Sequence, residues 1–247
     1  MPPRNRERLD KLLVDRGIVQ SRERARALIM EGKVSVDDAR IDKAGTKVFV
    51  DSSLKLKGSD IPYVSRGGLK LAHALNEFGV DVNSRVAIDV GASTGGFTDC
   101  LLQRGAGKVY AVDVGYGQLA WELRQDPRVM NIERRNIRYL DTKEIDDKID
   151  LAVVDTSFIS LTKVLPRVIE LIREDGFIIA LIKPQFEVEK GEVGKGGIVK
   201  DPVKHQQVLD KIKGFASFHN LTVSGLVESP ILGADGNKEF LIYMTKN

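Results

Sequence analysis

Four charged residues stand where strands and helices are predicted to begin or end, and their side chains could move a proton. Lys70 lies in the first turn of a predicted helix, and Asp155 follows an apolar run. Lys183 follows a second apolar run, and Glu239 precedes the last one. A neutral lysine can accept a proton and carboxylates can orient it. Two cations and two anions at one place would therefore suit a reaction that needs a proton acceptor.

The stretch from Val86 to Thr98 could hold a small ligand. An apolar run that contains an acidic residue is followed by small residues and glycines, and a helical pattern begins there. This order predicts a strand, a tight turn and a helix N-terminus, the arrangement with which an open α/β sheet binds its ligand. The residues of this candidate site are Asp89, Gly91, Ala92, Ser93, Gly95, Gly96 and Phe97.

Two ligands compete for this turn, a dinucleotide and S-adenosylmethionine. A dinucleotide site has the pattern G-x-G-x-x-G, because its second glycine lets the backbone approach the pyrophosphate. Counted from Gly91, that position is Ser93, which disfavours a dinucleotide. Asp113, at the end of the next predicted strand, could bind the ribose hydroxyls of either ligand. Asn136, after the third strand, could contact an adenine ring or could serve only as a turn residue.

Strands and helices alternate through the larger part of the chain, which predicts a mainly parallel sheet with helices on both faces. Strands are predicted at 86–90, 108–112, 129–132, 151–154, 177–182, 221–228 and 239–245, and helices at 67–78, 96–104, 119–125, 161–173 and 202–219. The last two strands follow each other without a helix, so the final strand should be antiparallel. We therefore expect an α/β fold with a Rossmann-like, seven-stranded, mainly parallel sheet.

This topology would bring the four charged residues together. Asp155 and Lys183 end parallel strands, so they lie at the carboxyl edge of the sheet, where ligands bind. Glu239 begins a strand that runs the opposite way, which places it at the same edge. Lys70 begins a helix that runs antiparallel to the strand it precedes, so it also lies there. We expect all four residues beside the glycine turn.

The first part of the chain is basic and forms a separate pattern. Residues 1–33 contain nine Lys and Arg against five Asp and Glu, whereas the whole chain has a net charge of only +3. Helices are predicted at 4–16 and 22–31, with Ser21 as an N-cap, and short strands at 33–36, 46–50 and 54–56. A basic module on a neutral body suggests a nucleic-acid partner, although mixed charges on a solvated helix are equally expected. We predict a small α+β domain at 1–58, a linker at 59–66 and the larger domain at 67–247.

The N-terminal stretch contains a set of spaced motifs: Arg8-Leu9-Asp10, Ser21-Arg22, Ala25-Arg26, Ile29, Gly32 and Val34-Ser35-Val36. With these residues it resembles the RNA-binding domain first named from ribosomal small-subunit protein four, the S-four domain. The resemblance implies that Arg22, Arg26 and Lys33 contact an RNA backbone, and we add Arg66, the last residue of the predicted linker, to this set. The usual Asn-Gly after the first strand is Asp37-Asp38 here.

The larger domain resembles the methyltransferases that act on RNA. The spacing Asp89-x-Gly91-x-x-x-Gly95-Gly96 resembles the first motif of Rossmann-like methyltransferases, and the Lys-Asp-Lys-Glu set resembles the tetrad of the FtsJ-like RNA 2′-O-methyltransferases. With the basic domain attached, the chain resembles the TlyA family. The resemblance implies S-adenosylmethionine as the cofactor and ribosomal RNA in ribosomal subunits as the partner, with methylation of a cytidine 2′-hydroxyl.

The same resemblance implies a role for each residue of the tetrad. It assigns Lys183 as the base, Asp155 and Glu239 as the groups that orient this lysine and the hydroxyl, and Lys70 as the group that holds the ribose.

Composition disfavours several other classes of protein. One cysteine allows no intramolecular disulfide, which fits a reducing cytoplasm, and three histidines and one cysteine show no metal-ligand spacing. The longest apolar run, 177–182, is far shorter than the roughly 20 residues that cross a bilayer, so no membrane partner is expected. A nucleotide-dependent oxidoreductase with an RNA-binding domain and a membrane-active hemolysin remain as alternatives.

Overall fold

A computed structural model describes residues 5–19, 21–57, 61–189, 191–194, 196–233 and 236–246. The chain divides into two compact units, Met1–Pro62 and Tyr63–Asn247. The linker predicted at 59–66 overlaps the start of the second unit, and its residues 59 and 60 lie outside the described part. Tyr63 and Val64 pack against the second unit's core, and the Val64 N–H donates to Asp99 Oδ2 at 2.8 Å. Residues 63–66 thus belong to the larger unit, against which the partly buried Tyr63 and Val64 are packed.

In its described residues, the first unit has two helices and two small antiparallel sheets. Its elements are β1 (Arg6–Arg8), α1 (Leu9–Asp15), α2 (Arg22–Met30), β2 (Val34–Val36), β3 (Ala39–Arg40), β4 (Lys47–Phe49) and β5 (Leu54–Leu56). Strand β1 pairs with β4, and β2 lies between β3 and β5. The core contains apolar residues of both helices, including Leu9, Leu13, Leu28 and Ile29.

Two features of the first unit differ from the sequence prediction. The helix predicted at 4–16 begins only at Leu9, because β1 uses the preceding residues to pair with β4; residue 4 lies outside the described part. Strand β3 was not predicted. It follows a two-residue turn in which Asp37 and Asp38 have φ of +48° and +66°. Positive φ at both central residues is the backbone of a type I′ hairpin turn, and Asp tolerates it better than most residues.

The second unit is built on one seven-stranded sheet. In chain order its elements are α3 (Gly67–Glu77), β6 (Val86–Val90), α4 (Gly96–Gln103), β7 (Lys108–Val112), α5 (Trp121–Gln125), β8 (Val129–Ile132), β9 (Ile149–Val154), α6 (Leu165–Leu171), β10 (Ile172–Ile182), α7 (Pro184–Glu187), α8 (Pro202–Phe218), β11 (Leu221–Glu228) and β12 (Phe240–Lys246). Three single 3₁₀ turns lie at Ile137–Tyr139, Thr142–Glu144 and Leu161–Lys163.

The strand order is β11-β12-β10-β9-β6-β7-β8. Strands β6 to β10 pair in parallel, whereas β12 is antiparallel to both of its neighbours. The prediction of a mainly parallel sheet with an antiparallel last strand is confirmed.

Helices cover both faces of the sheet. Consecutive residues of the central strands point to opposite faces, as the period of two in a strand requires. One face packs against α3 and α4 through Ala87, Val109 and Leu151; the other packs against α6 and α8 through Ile88, Tyr110 and Ala152. Burial on both faces explains why these strands are near-continuous apolar runs in the sequence.

The prediction of a single helix at 161–173 is wrong. The chain forms a 3₁₀ turn at Leu161–Lys163 and then α6, which has Pro166 in its first turn. Proline is favoured there because its missing N–H would have no partner in the helix. Strand β10 takes over at Ile172, so five residues that were predicted as helix or loop join the sheet. Their pairing with β9 is irregular between Ile172 and Phe177.

Candidate active site

The carboxyl edge of the sheet carries the site because of the strand register. Val90 pairs with both Val112 and Val154, so β6, β7 and β9 end level with one another. Phe240 pairs with Ile182 in the antiparallel pair β10–β12. The residues that follow β10 and precede β12 therefore leave the sheet at this edge.

The glycine turn between β6 and α4 depends on backbone conformations that favour glycine. Gly91 has a φ of +86°, and a Cβ atom added there would lie 2.4 Å from the carbonyl oxygen of Asp155. Gly95, the N-cap of α4, has a φ of +96°, and a Cβ atom there would lie 2.2 Å from Leu123. The two glycines thus let the turn press against the end of β9 and against α5.

Asp89 supports this turn from inside the protein. It is fully buried, and its Oδ2 accepts hydrogen bonds from the N–H and the hydroxyl of Thr98 at 2.9 and 2.7 Å. Burial raises the pKa of Asp89 to about 7 against the effect of these bonds, and the charge of Asp155 raises it further. Among the described residues, Oδ1 has no hydrogen-bond partner. Asp89 therefore anchors the first turn of α4.

Two cavities meet at the turn. The larger, of about 490 Å³, extends over the ends of β6 and β7 and is lined by Asp113, Asn136 and apolar residues such as Val112 and Ile137. The smaller, of about 190 Å³, is lined by the turn, by Phe97 and by the start of α3. Both are bordered by Gly91, Ser93, Asp155 and Ser157. Of the residues predicted to hold a ligand, Ala92, Gly96 and Phe97 line the smaller cavity, whereas Asp89 and Gly95 are not among the lining residues.

Asp113 and Asn136 are both held by backbone groups at the larger cavity. Asp113 accepts the N–H of Ser93 at 2.8 Å and the N–H of Gly115 at 2.6 Å, one on each oxygen. Asn136 accepts the N–H of Arg138 at 3.1 Å and caps the 3₁₀ turn. Asn136 is thus a turn residue and also a cavity residue, so the two interpretations of it do not exclude each other.

The four charged residues form two ion pairs at the smaller cavity. Lys183 Nζ lies 2.6 Å from Asp155 Oδ1 and donates a hydrogen bond to Ser157 Oγ at 2.9 Å. The contact with Asp155 is an ion pair without hydrogen-bond alignment. Lys70 donates to Glu239 Oε2, and the side chains of this pair are 10% and 2% exposed. Lys70, Asp155 and Lys183 line the cavity, and Glu239 lies behind Lys70.

Glu239 is held in place by the segment before it. The Ser229 N–H donates to the Glu239 carbonyl at 2.9 Å, and the Gly233 N–H donates to the Asn237 carbonyl at 2.8 Å. A Cβ atom at Gly233 would lie 2.0 Å from Glu239 Oε1, so only glycine leaves room for the carboxylate. Arg66 donates to the carbonyl of Leu232 in the same segment.

The residues predicted to bind RNA in the first unit are organised by a buried carboxylate. Arg22 and Arg26 each contact Oδ2 of the fully buried Asp10 at 3.1 Å, while about half of each arginine side chain stays exposed. A hydrogen bond from Arg8 is the largest effect that lowers the pKa of Asp10, and Arg22 and Arg26 lower it further. Lys33 pairs with Glu31 at 2.6 Å.

Sequence reasoning missed two polar residues of the site, which follow Asp155 in the chain. Ser157 contacts Lys183, and the buried Oγ1 of Thr156 has no partner among the described residues although Thr156 lines the larger cavity. Their position directly after a strand at the ligand-binding edge was the available signal. Among the described residues, no cluster of His, Cys, Asp and Glu could hold a metal, and no described helix has the length and hydropathy of a membrane span.

Comparison with known proteins identifies relatives for both units. Residues 63–246 match the FtsJ-like methyltransferase family and residues 7–51 match the S4 domain. The chain is 49% identical over 240 residues to Bacillus subtilis YqxC, which is named as an rRNA methyltransferase (97% of this chain, 85% of the relative). It is 45% identical over 240 residues to the Mycobacterium tuberculosis 16S/23S rRNA (cytidine-2′-O)-methyltransferase TlyA (97% and 90%). A solved structure from Streptococcus thermophilus that carries the name hemolysin is similar with a TM-score of 0.78 at 44% identity (99% and 90%).

Proposed function

Because the chain belongs to the TlyA group of FtsJ-like methyltransferases, we propose that it methylates the 2′-hydroxyl of cytidine in ribosomal RNA, with S-adenosylmethionine as the methyl donor. The observation that carries the proposal is the Lys183–Asp155 pair, 2.6 Å apart: both residues line the smaller cavity, and Asp155 also lines the larger one. A potential base therefore lies next to the smaller cavity, which the glycine turn also lines. The 45% identity to a cytidine-2′-O-methyltransferase supports the choice of substrate.

The larger cavity fits the nucleoside part of S-adenosylmethionine. Asp113, fixed by two backbone N–H groups, has acceptor capacity for ribose hydroxyls, and Asn136 lies where an adenine ring would meet the apolar wall. The buried, unpartnered Oγ1 of Thr156 is a polar atom that a ligand could satisfy. A dinucleotide is less suited to this turn because Ser93, with a φ of +49°, carries a side chain where close approach to a pyrophosphate needs glycine.

Lys183 acts as the proton acceptor in this mechanism. When bound, S-adenosylmethionine supplies an electrophilic methyl group, and its sulfur keeps the electron pair of the broken S–C bond. The lone pair of the neutral Lys183 amine takes the proton of the 2′-hydroxyl as the oxygen attacks. Asp155 orients the amine and stabilises the ammonium group that forms.

Lys70 positions the ribose in this mechanism, and Glu239 positions Lys70. The Lys70 ammonium lines the smaller cavity and donates hydrogen bonds, so it can bind a ribose oxygen and stabilise its developing negative charge. The buried carboxylate of Glu239 holds this ammonium at the cavity wall.

The S4 domain supplies affinity for the RNA backbone. The exposed faces of Arg22 and Arg26, and Lys33 near them in the sequence, are suited to phosphate contacts, which position a protein on RNA and carry little sequence information. Arg66, exposed at the start of α3, is proposed to add a contact from the second unit. Recognition of the nucleotide would then depend on the folded shape of the ribosomal RNA.

Incubation of the protein with labelled S-adenosylmethionine and separated, unmodified ribosomal subunits tests the function. We expect label at cytidine 2′-positions, which become resistant to alkaline cleavage. Lys183→Ala should abolish the transfer while the cofactor still binds in calorimetry. The matched control is Lys148→Ala. Lys148 is exposed and immediately precedes β9, whereas the site lies at the other end of this strand. Methylation retained by Lys183→Ala would refute the assignment of the base, and label on a base atom would refute 2′-O-methylation.

A further inference from the structure

Ser157 is the second polar residue in contact with the Lys183 amine, after Asp155, and neither the tetrad nor the family name accounts for it. Its Oγ accepts a hydrogen bond from Lys183 Nζ at 2.9 Å, while Asp155 Oδ1 lies 2.6 Å from the same nitrogen. Ser157 also borders both cavities, together with Asp155. Ser157 therefore lies where three features meet: the proposed proton acceptor, the larger cavity proposed for the cofactor and the smaller cavity proposed for the ribose.

The hydrogen bond to Ser157 limits the directions that the lone pair of the neutral Lys183 amine can take. A protonated lysine has three N–H donors, but the neutral form, which alone can act as a base, has two N–H groups and one lone pair. Ser157 Oγ accepts one N–H of the amine, and the Asp155 carboxylate, 2.6 Å from the nitrogen without hydrogen-bond alignment, attracts the other N–H electrostatically. With both N–H groups drawn towards these two partners, the smaller cavity, which Lys183 lines, is the side left for the lone pair.

We propose that Ser157 is a positioning residue that, together with Asp155, fixes the neutral amine of Lys183 with its lone pair towards the smaller cavity. This inference rests on the proposed function, since it concerns the base of that reaction. Without Ser157, the amine keeps only its contact with Asp155, so rotation about the Cδ–Cε bond can move Nζ away from its present position. Its lone pair would then face the substrate hydroxyl only part of the time.

The loop that carries Ser157 does not depend on the serine side chain for its position. The Asp155 N–H donates to the carbonyl of Val90 at 2.9 Å. At the other end of the loop, the buried carboxylate of Glu187 accepts the hydroxyl of Ser160 at 2.5 Å and the N–H of Leu161 at 2.6 Å. Ser157 itself is exposed. Its truncation should therefore leave the fold intact and change only the contact with Lys183.

The test compares Ser157→Ala with Ser157→Thr, which keeps the hydroxyl group, and with Ser224→Ala, an exposed serine on β11, as the control. Methyl transfer to ribosomal subunits gives kcat and KM, calorimetry gives cofactor affinity, and crystal structures of the two Ser157 variants give the position of Lys183 Nζ. We expect kcat of Ser157→Ala to fall by about 2-fold to 10-fold, which corresponds to the net free energy of a hydrogen bond between neutral groups, since the amine that acts as the base is neutral. Ser157→Thr should recover most of the rate, with cofactor affinity unchanged in both variants.

The crystal structures separate a failure of this inference from a failure of the proposed function. Displacement of Lys183 Nζ in Ser157→Ala, with its return in Ser157→Thr, supports the positioning role even if the wild-type protein proves inactive on ribosomal RNA. An undisplaced amine refutes the inference. A Ser157→Ala variant with unchanged kcat would also refute the inference. A variant whose only defect is weaker cofactor binding would refute it too, since Ser157 would then act on the cofactor in the larger cavity.

Discussion

Glu239→Gln should strongly destabilise the protein, because it leaves a buried ammonium without its counter-ion. The side chains of Lys70 and Glu239 are 10% and 2% exposed, and Lys70 donates directly to the carboxylate. Breaking a buried ion pair by removing one partner costs about 3–5 kcal/mol, since the remaining charge has lost both water and partner. The slight exposure of Lys70 and the amide oxygen left by glutamine place the expected cost near the lower limit, at about 3 kcal/mol.

A neighbouring pair provides a matched control for this substitution. Lys238 and Glu228 lie 3.1 Å apart, but each side chain is 51% exposed. Water and salt screen such a pair, so Glu228→Gln should cost at most about 1 kcal/mol. The two substitutions remove the same charge from adjacent ion pairs, and the difference between them isolates the effect of burial.

Urea unfolding followed by circular dichroism measures the cost in the transition of the larger unit. Lys70→Met and the double variant Lys70→Met/Glu239→Gln complete a thermodynamic cycle. The double variant contains no unpaired charge, so it should lose less stability than the sum of the single variants, by about 2 kcal/mol. Equal costs for Glu239→Gln and Glu228→Gln, or strictly additive single variants, would refute the reasoning that burial makes this pair strong.

Three further predictions concern the turn, a buried acid and the first unit. Gly91→Ala should destabilise the protein more than Gly79→Ala and should weaken cofactor binding in calorimetry: both positions have positive φ, but only the Cβ at 91 would meet the Asp155 carbonyl. Equal effects would contradict the role of close approach. The pKa of Asp89, raised by burial to about 7, means that the folded state binds more protons than the unfolded state between about pH 4 and pH 7. Stability of the wild type should therefore fall across this range relative to Asp89→Asn, and parallel urea midpoints would contradict it. The pKa of Asp10 is lowered, so its effect on stability has the opposite pH dependence: the ionised carboxylate should stabilise the fold near neutral pH, and this stabilisation should be lost as the pH falls below about 4. An acid titration in which Asp10→Asn matches the wild type would disprove this.

The central strands of the sheet could be predicted from the sequence because they are buried. Val86–Val90 and Lys108–Val112 have the predicted bounds, since strands buried on both faces are apolar along their length and end at polar or glycine residues. The edge strand Val129–Ile132 also has the predicted bounds, although Met130 and Asn131 are exposed. Elements whose existence depends on a distant partner were missed. Strand β1 is a three-residue segment that exists by pairing with β4, and the first half of β10 was assigned to the preceding helix and loop.

The candidate residues of the site were also visible in the sequence, but their partners were not. Lys70, Asp155, Lys183 and Glu239 could be assigned to one edge of the sheet, because the direction of each strand follows from the order of the elements. That Lys70 pairs with Glu239 and Lys183 with Asp155 depends on the tertiary structure.

Local patterns in this sequence determined the central strands of the large sheet, the turn that needs glycine and the edge of the sheet that would bind a ligand. Each of these follows from the conformations and burial of residues close together in the chain. The tertiary structure decided which charges are buried, that Asp89 supports the glycine turn from within the core, and that Ser157 lies against Lys183. Those contacts join residues from separate segments, and their energies depend on distance and on exclusion of water, which exist only after the sheet has formed.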